Sequence, residues 1–95
     1  KGYWIGHVTI DDAEAYKLYQ EANAVPFKEY GARFLVRGGA QEVREGNVRA
    51  RSVVLEFPTI EAAYACYDSA GYQAANAIRE AVSAGDIVIV EGYEG

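Results

Sequence analysis

The sequence predicts an α+β fold of the ferredoxin-like kind, βαββαβ, with a four-stranded antiparallel sheet. Three observations carry that prediction. Four short runs are rich in β-branched and aromatic residues. Two longer stretches of helical spacing separate the first run from the second and the third from the fourth. Only a polar, turn-prone segment separates the second from the third, which makes those two a hairpin.

Each element has a local reason. "YWIGHVTI", Tyr3 to Ile10, is the first strand. Asp11 or Asp12 then offers an N-cap, because a short side-chain oxygen can accept from the first free helical N–H groups. The helix runs from Ala13 to about Tyr30, with Ala15, Leu18, Tyr19, Ala22 and Val25 as its buried stripe. Pro26 is expected to kink or interrupt it, and Gly31 suits its end. "ARFLVR" is the second strand, stopped by Gly38-Gly39. "AQEVREGNVR" is a long hairpin loop with room for a small strand pair, and "ARSVVLEF" is the third strand. Pro58 ends that strand and Thr59 caps the next helix. The helix breaks at "DSAG", where Ser69 caps a second segment running to about Ala84, with Gly85 after it. "DIVIVEGY" is the fourth strand. Right-handed crossovers place the first and third strands side by side and parallel at the sheet centre. The second strand then pairs antiparallel with the third and the fourth with the first, and both helices cover one face.

Alternation divides the strand residues between two faces. Trp4, Gly6, Val8, Ile10, Phe34, Val36, Val53, Leu55, Phe57, Val88 and Val90 form an apolar set assigned to the helices. The reverse set mixes Ile5, Leu35, Val54, Ile87 and Ile89 with His7, Arg33, Arg37, Ser52, Glu56 and Glu91. That face is too apolar for water and too polar for an ordinary core. A second copy of the sheet is expected to cover it, giving a homodimeric α+β barrel. With Leu35 facing Val54, Arg33 falls opposite Glu56 and Arg37 opposite Ser52, while His7 and Thr9 lie near Glu56.

Composition limits the function classes. The 95 residues, 51% hydrophobic and 24% charged, are predicted to form one domain, residues 1–95. A net charge of −5 with scattered Lys and Arg argues against nucleic acid as a partner. No apolar run approaches the ~20 residues of a membrane span. One Cys and one His give no internal disulfide and no structural zinc site, so no metal is expected. No cofactor is expected either, a haem- or flavin-using barrel ranking lower because the lone His7 falls on the partner-facing side. The lone Cys66 and the lack of a visible signal segment fit a cytoplasmic protein. Lys1 in place of an initiator Met points to a processed or trimmed start.

Several segments together resemble a known family. "YGARFLVRGG", "VVLEFPTIEAAYACYDSAGYQAANAIR" and "IVIVEG" are similar to the family called domain of unknown function 1330. The similarity covers nearly the whole chain. It departs at Ala32, where a second glycine is usual, and at Cys66, where a large aromatic is usual. The resemblance implies the dimeric ferredoxin-like barrel and no activity.

Candidate chemistry follows from residue type. His7 is the one side chain whose unperturbed titration falls near neutral pH. It is either a general base with Glu56 fixing its tautomer or a hydrogen-bonded interface histidine. Arg33 and Arg37 either clamp a substrate carboxylate or form ion pairs, with Glu56 the ready partner of Arg33. Tyr16, Tyr19, Tyr67, Tyr72 and Arg79 on the helices either line a pocket for an aromatic ligand or serve as core residues with wet hydroxyls. The expected function is binding or cofactor-free proton transfer on a small anionic or aromatic metabolite. The alternatives are a non-catalytic dimer, structural or ligand-binding, and a monooxygenase-like barrel enzyme.

Overall fold

The computed structural model describes residues 1–94; Gly95, the last residue of the predicted domain, lies outside them. The elements are β1 (Gly2–Ile10), α1 (Ala13–Glu29), β2 (Arg33–Arg37), β3 (Arg51–Phe57), α2 (Ile60–Asp68), α3 (Ala70–Val82) and β4 (Ser83–Glu91). This is the predicted βαββαβ order with the second helix in two pieces. The sheet order is β2-β3-β1-β4. All three pairings are antiparallel, β1 with β3 included. The parallel β1–β3 expectation is therefore wrong. The crossover through α1 makes β2 run with β1, and the hairpin then reverses the chain before β3.

The helix starts follow their caps. The Asp12 carboxylate accepts from the Ala15 N–H at 3.1 Å, the Thr59 hydroxyl from Ala62 at 3.0 Å, and the Ser69 hydroxyl from Tyr72 at 3.1 Å. Pro26 does not interrupt α1, which continues to Glu29. The ring sits in the last turn, where its missing N–H costs one helical bond. Its carbonyl still accepts from Tyr30 N at 3.1 Å. Gly31 follows in the left-handed region at φ 76°, packed against the ring of Pro58.

Helix α1 buries Tyr16, Tyr19, Asn23, Pro26 and Phe27, whereas Leu18 and Val25 are exposed. The expected stripe was rotated by part of a turn. The bulky rings, rather than the aliphatic residues, fill the groove over the sheet. Trp4 stands at the centre of the core. Its ring lies 4.8 Å from Tyr72, 5.4 Å from Phe27 and 5.5 Å from Tyr67, centroid to centroid, in edge or tilted contacts. Leu55, Phe57, Ala63, Cys66 and Ala75 complete it.

Two strands depart from simple alternation. In β4 the faces are the reverse of those expected. Ile89 pairs with Trp4 and Ile87 with Gly6, and both pack on the core, while Val88 and Val90 lie exposed on the open face. In β2 a bulge intervenes: Phe34 pairs with Leu55, but Val36, not Leu35, pairs with Val54, and Arg37 pairs with Val53. Leu35 is the extra residue, and every side chain after it changes face. Arg37 thus lies on the helix side, and the expected Arg37–Ser52 pairing does not form.

The end of α3 is also shorter than expected. The helix stops at Val82, and Gly85 is part of β4, paired with Val8. A Cβ on Gly85 would meet the Arg79 guanidinium at 3.1 Å, so glycine there gives Arg79 its space. Residues 38–50 form the hairpin loop with no strand of their own. Arg49 in this loop reaches across the open face to the Thr9 hydroxyl and the Asp86 carboxylate, each at 3.1 Å.

Candidate functional site

Between the sheet and helices α1 and α3 lies a cavity of about 30 Å³. Its walls are the aromatic and aliphatic side chains of Trp4, Val8, Phe27, Phe34, Val53, Leu55 and Ile87, with Gly6 leaving one wall open. Its polar groups are Tyr16, Tyr19, Gln20, Asn23 and three arginines, Arg37, Arg51 and Arg79. The volume admits a water molecule or a small polar head group. Arg37 is exposed and marks the rim, whereas Arg79 is only 7% exposed and marks the floor.

Each arginine is held by neighbours other than a carboxylate. Arg79 donates from Nε and Nη2 to Asn76 Oδ1 at 3.0 and 2.8 Å, and Asn76 in turn donates to Glu80 at 3.1 Å. Arg51 lies 5.8 Å from the centre of the Tyr16 ring and fills the space a side chain at Gly38 would need. Arg37 stacks on Phe34, 4.2 Å from its centroid. Among the described residues, ion pairs form at Arg33, Arg44 and Arg49 but at none of these three. Two buried atoms have no hydrogen-bond partner: Arg51 Nε and Asn23 Oδ1. Asn23 is 4% exposed. Such orphans are costly when no ordered water or ion satisfies them.

Tyrosine hydroxyls gather behind the arginines. Tyr19 and Tyr72 share a hydrogen bond of 2.9 Å. Burial, reinforced by Tyr19, pushes the Tyr72 phenol far above its ordinary value, and nearby Arg79 offsets only part of this. Burial also raises Tyr16, again with Tyr19 adding and Arg51 and Arg79 opposing. The Tyr16 and Tyr72 hydroxyls, both raised, stay protonated at neutral pH and act as hydrogen-bond groups. Tyr67 is half-buried and stacks behind Trp4 and Tyr72 instead of lining the cavity. Burial likewise pushes the Cys66 thiol up to about 12, where it is an inert part of the core.

His7, Arg33 and Glu56 lie on the other side of the sheet. Arg33 pairs with Glu56 as expected, at 3.5 Å, and Glu56 also accepts from Tyr3 at 2.8 Å and Lys1 at 3.4 Å. The Tyr3 hydrogen bond is the main cause holding the Glu56 carboxyl below its usual range. His7 does not meet Glu56. Its cross-strand neighbour is Ser52, and Glu56 lies four residues further along β3, roughly 13 Å from Ser52 by strand rise. His7 Nδ1 lies 2.9 Å from Ser52 Oγ, and Ser52 donates to Gln41 Oε1, so Nδ1 carries the proton and Nε2 is left free. A shallow cleft of about 420 Å³ beside His7 is lined by Asn47, Val48, Arg49 and Asp86.

The structure therefore divides the sequence-derived candidates. Arg37 and Arg79 meet at one cavity with Tyr16 and Tyr19, and Tyr72 supports it from behind. His7, Glu56 and Arg33 are separated from it by the sheet. Sequence reasoning missed Arg51 and Asn23. Arg51 shares its parity with Val53, Leu55 and Phe57, so alternation already put it under the helices. Asn23 stands four residues from both Tyr19 and Phe27, on the stripe of rings. Among the described residues no group of three or more His, Cys, Asp or Glu side chains is placed to hold a metal ion, and no helix is long and apolar enough to cross a membrane.

Residues 1–93 match the family described as Domain of unknown function (DUF1330). The chain belongs to this family. Its DUF1330 fold is also similar to solved structures of other names. A protein of unknown function from Rhodopseudomonas palustris, RPA0582, superimposes with a TM-score of 0.79 at 16% identity, over 99% of this chain and 83% of that one. SnoaB from Streptomyces nogalater, a cofactor-independent oxygenase, gives 0.68 at 12% identity, over 99% and 94%. A protein from Nitrosomonas europaea, assigned provisionally as an antibiotic biosynthesis monooxygenase, gives 0.61 at 18% identity, over 98% and 91%. These likenesses establish the ferredoxin-like fold of this DUF1330 chain. A comparison with proteins of curated function found no match.

Proposed function

We propose that this chain binds a small metabolite with an anionic head and an apolar or aromatic body, in the cavity between sheet and helices. One observation carries the reading: cations line a buried cleft with no carboxylate to meet them, and one of them has an orphaned N–H. An anion entering there gains charge-assisted hydrogen bonds and relieves a desolvation penalty already present in the free protein. The aromatic rim at Phe34 and Arg37 suits a flat, apolar body.

The chemistry such a site performs is stabilisation of negative charge. A phenol, enol or other weak acid bound beside guanidinium groups ionises more readily. That is the anion-forming half of a cofactor-free proton transfer, with water at the rim as the proton acceptor. The cavity wall itself offers no His, Asp, Glu or Lys. The likeness to a cofactor-independent oxygenase is compatible with a reaction that starts from a stabilised anion, and a monooxygenase-like activity is the lower-ranked form of the same reading. A base role for His7, with Nε2 free, belongs to the separate cleft on the open face.

The non-catalytic alternative draws on that open face. Ile5, Val36, Val54, Val88 and Val90 present apolar surface there, while Arg33, Glu56, Arg49 and Asp86 are already paired. We propose that a second copy covers it. Binding and pairing use opposite faces and are compatible. Titration of phenylacetate against the fluorescence of Trp4, the single tryptophan, tests the binding reading. A saturable change that Arg51→Gln and Arg37→Ala weaken is expected. No saturable change, or equal affinity in both variants, rejects it.

A further inference from the structure

We infer that Asn76 is the positioning residue of this cavity: it holds Arg79 through a neutral acceptor, and so leaves the guanidinium charge uncancelled and part of its donor set free for an anionic head group. This rests on the anion-binding reading above and goes one step beyond it.

A guanidinium carries five N–H groups. Asn76 Oδ1 accepts one from Arg79 Nε at 3.0 Å and one from Nη2 at 2.8 Å. Among the described residues no other side chain or carbonyl takes a hydrogen bond from Arg79. The nearby Tyr72 hydroxyl makes its bond with Tyr19 instead. The remaining N–H groups, both of those on Nη1 included, therefore have no acceptor in the chain, on a residue only 7% exposed. Nη1 is not sealed as Arg51 Nε is. It is turned to the sheet: a Cβ on Gly85 would lie 3.1 Å from Nη1 and 3.4 Å from the side chain of Val8, which lines the cavity with Arg79.

Asn76 is itself held. It is 4% exposed, and its Nδ2 donates to Glu80 at 3.1 Å, which keeps Oδ1 toward Arg79. The one carboxylate in this series of contacts thus stands one residue removed from the cation. A carboxylate at position 76 would take Nε and Nη2 as a fork and cancel the charge that draws an anion. An amide of the same shape orients the guanidinium and leaves that charge in place.

The test exchanges two side chains. Asn76→Asp combined with Glu80→Gln moves the carboxylate against Arg79 and keeps the net charge at −5. Phenylacetate is titrated against Trp4 fluorescence, and thermal unfolding is followed on the same samples. The exchanged chain is expected to melt at or above the temperature of the unaltered one, because a carboxylate holds the guanidinium at least as well as an amide does. It is expected to bind phenylacetate at least about tenfold more weakly, the scale of one charge-assisted hydrogen bond. Glu80→Gln alone is expected to lose no more than about threefold, since the glutamine carbonyl still accepts from Asn76. A purely structural Asn76 would not lower binding while the melting temperature holds. Binding by the exchanged chain within about twofold of the unaltered one overturns the inference and leaves the anion reading standing. An exchanged chain that does not fold, or a loss in Glu80→Gln as large as that of the exchange, does the same. No binding of phenylacetate to the unaltered chain overturns the anion reading and this inference with it.

Discussion

The two faces of the sheet handle charge in opposite ways. On the open face the charged groups have partners: Glu56 holds Lys1, Tyr3 and Arg33, and Arg49 holds Thr9 and Asp86. What lacks a partner there is apolar, with Val88 54% exposed beside Val90 and Val36. On the helix side the rings are packed around a small cavity, and what lies sealed without a hydrogen-bond partner among the described residues is polar, Arg51 Nε and Asn23 Oδ1. The difference teaches where to look for each kind of visitor. A face with settled charges and unsettled hydrocarbon invites a flat cover, whereas a packed interior with unsettled cations invites a small anion.

The largest expected effect separates two adjacent residues. Leu55 points under the helices and is 1% exposed, while Val54 points to the open face. Leu55→Ala should cost about 2–5 kcal/mol of folding stability in chemical denaturation. Val54→Asp should leave the subunit folded and lower its self-association in sedimentation. If Val54→Asp unfolds the chain, or leaves a dimer intact, the two faces are not specialised as described.

Next come the cavity cations. Arg51→Gln should weaken anion binding about 10- to 100-fold, the scale of one charge-assisted hydrogen bond. Arg79→Met is expected to lose binding while its melting temperature falls less than that of Leu55→Ala, because removing a buried cation offsets the cost of the Asn76 acceptor left unpaired. A fall in melting temperature as large as that of Leu55→Ala would mean that these arginines are structural.

The faces should also fail at opposite ends of the pH scale. Glu56 has a lowered value in the folded chain. Its stabilising contribution is complete above the unfolded carboxyl value of about 4.3 and disappears as pH falls through the lower folded value. Tyr16 and Tyr72 have raised values. Their contribution is complete below about 10 and disappears as pH rises toward the folded values. Tyr3 is raised as well, chiefly by its bond to Glu56, so Tyr3→Phe removes the open-face share of the alkaline limb. Denaturation midpoints measured across pH should show Glu56→Gln flattening the acid limb and also reducing the share of the alkaline limb that Tyr3 carries.

These contrasts also explain what the sequence could and could not reveal. Order and caps were legible because Asp12, Thr59, Ser69 and Gly31 act through their immediate neighbours. The Arg33–Glu56 pair was legible because it precedes the irregular point in β2. Faces were illegible where alternation carried no information. In "IVIV" both parities are apolar, so only the packing of Ile87 beside Gly6 and Ile89 beside Trp4 decides which side is inward. In α1 a stripe of small aliphatics competed with a stripe of rings, and volume settled it. His7 and Glu56 share a face of neighbouring strands, but the register, which single-strand alternation does not carry, puts Tyr3 opposite Glu56 and His7 opposite Ser52.

The smallest expected effect concerns Leu35. Because it is the surplus residue, its deletion should restore an even strand with Val36 still opposite Val54 and Arg37 still opposite Val53. Stability should change by about 1 kcal/mol or less, and phenylacetate affinity should be unchanged. If deletion abolishes binding, Arg37 has moved to the other side and the assigned pairing is wrong.

That surplus residue bears on how relatives are to be aligned. A lineage can gain or shed one amino acid at this spot without altering which flank of the sheet its later arginine occupies. Gap placement in the second strand, more than any substitution, then decides on which side a cousin's later arginine is placed.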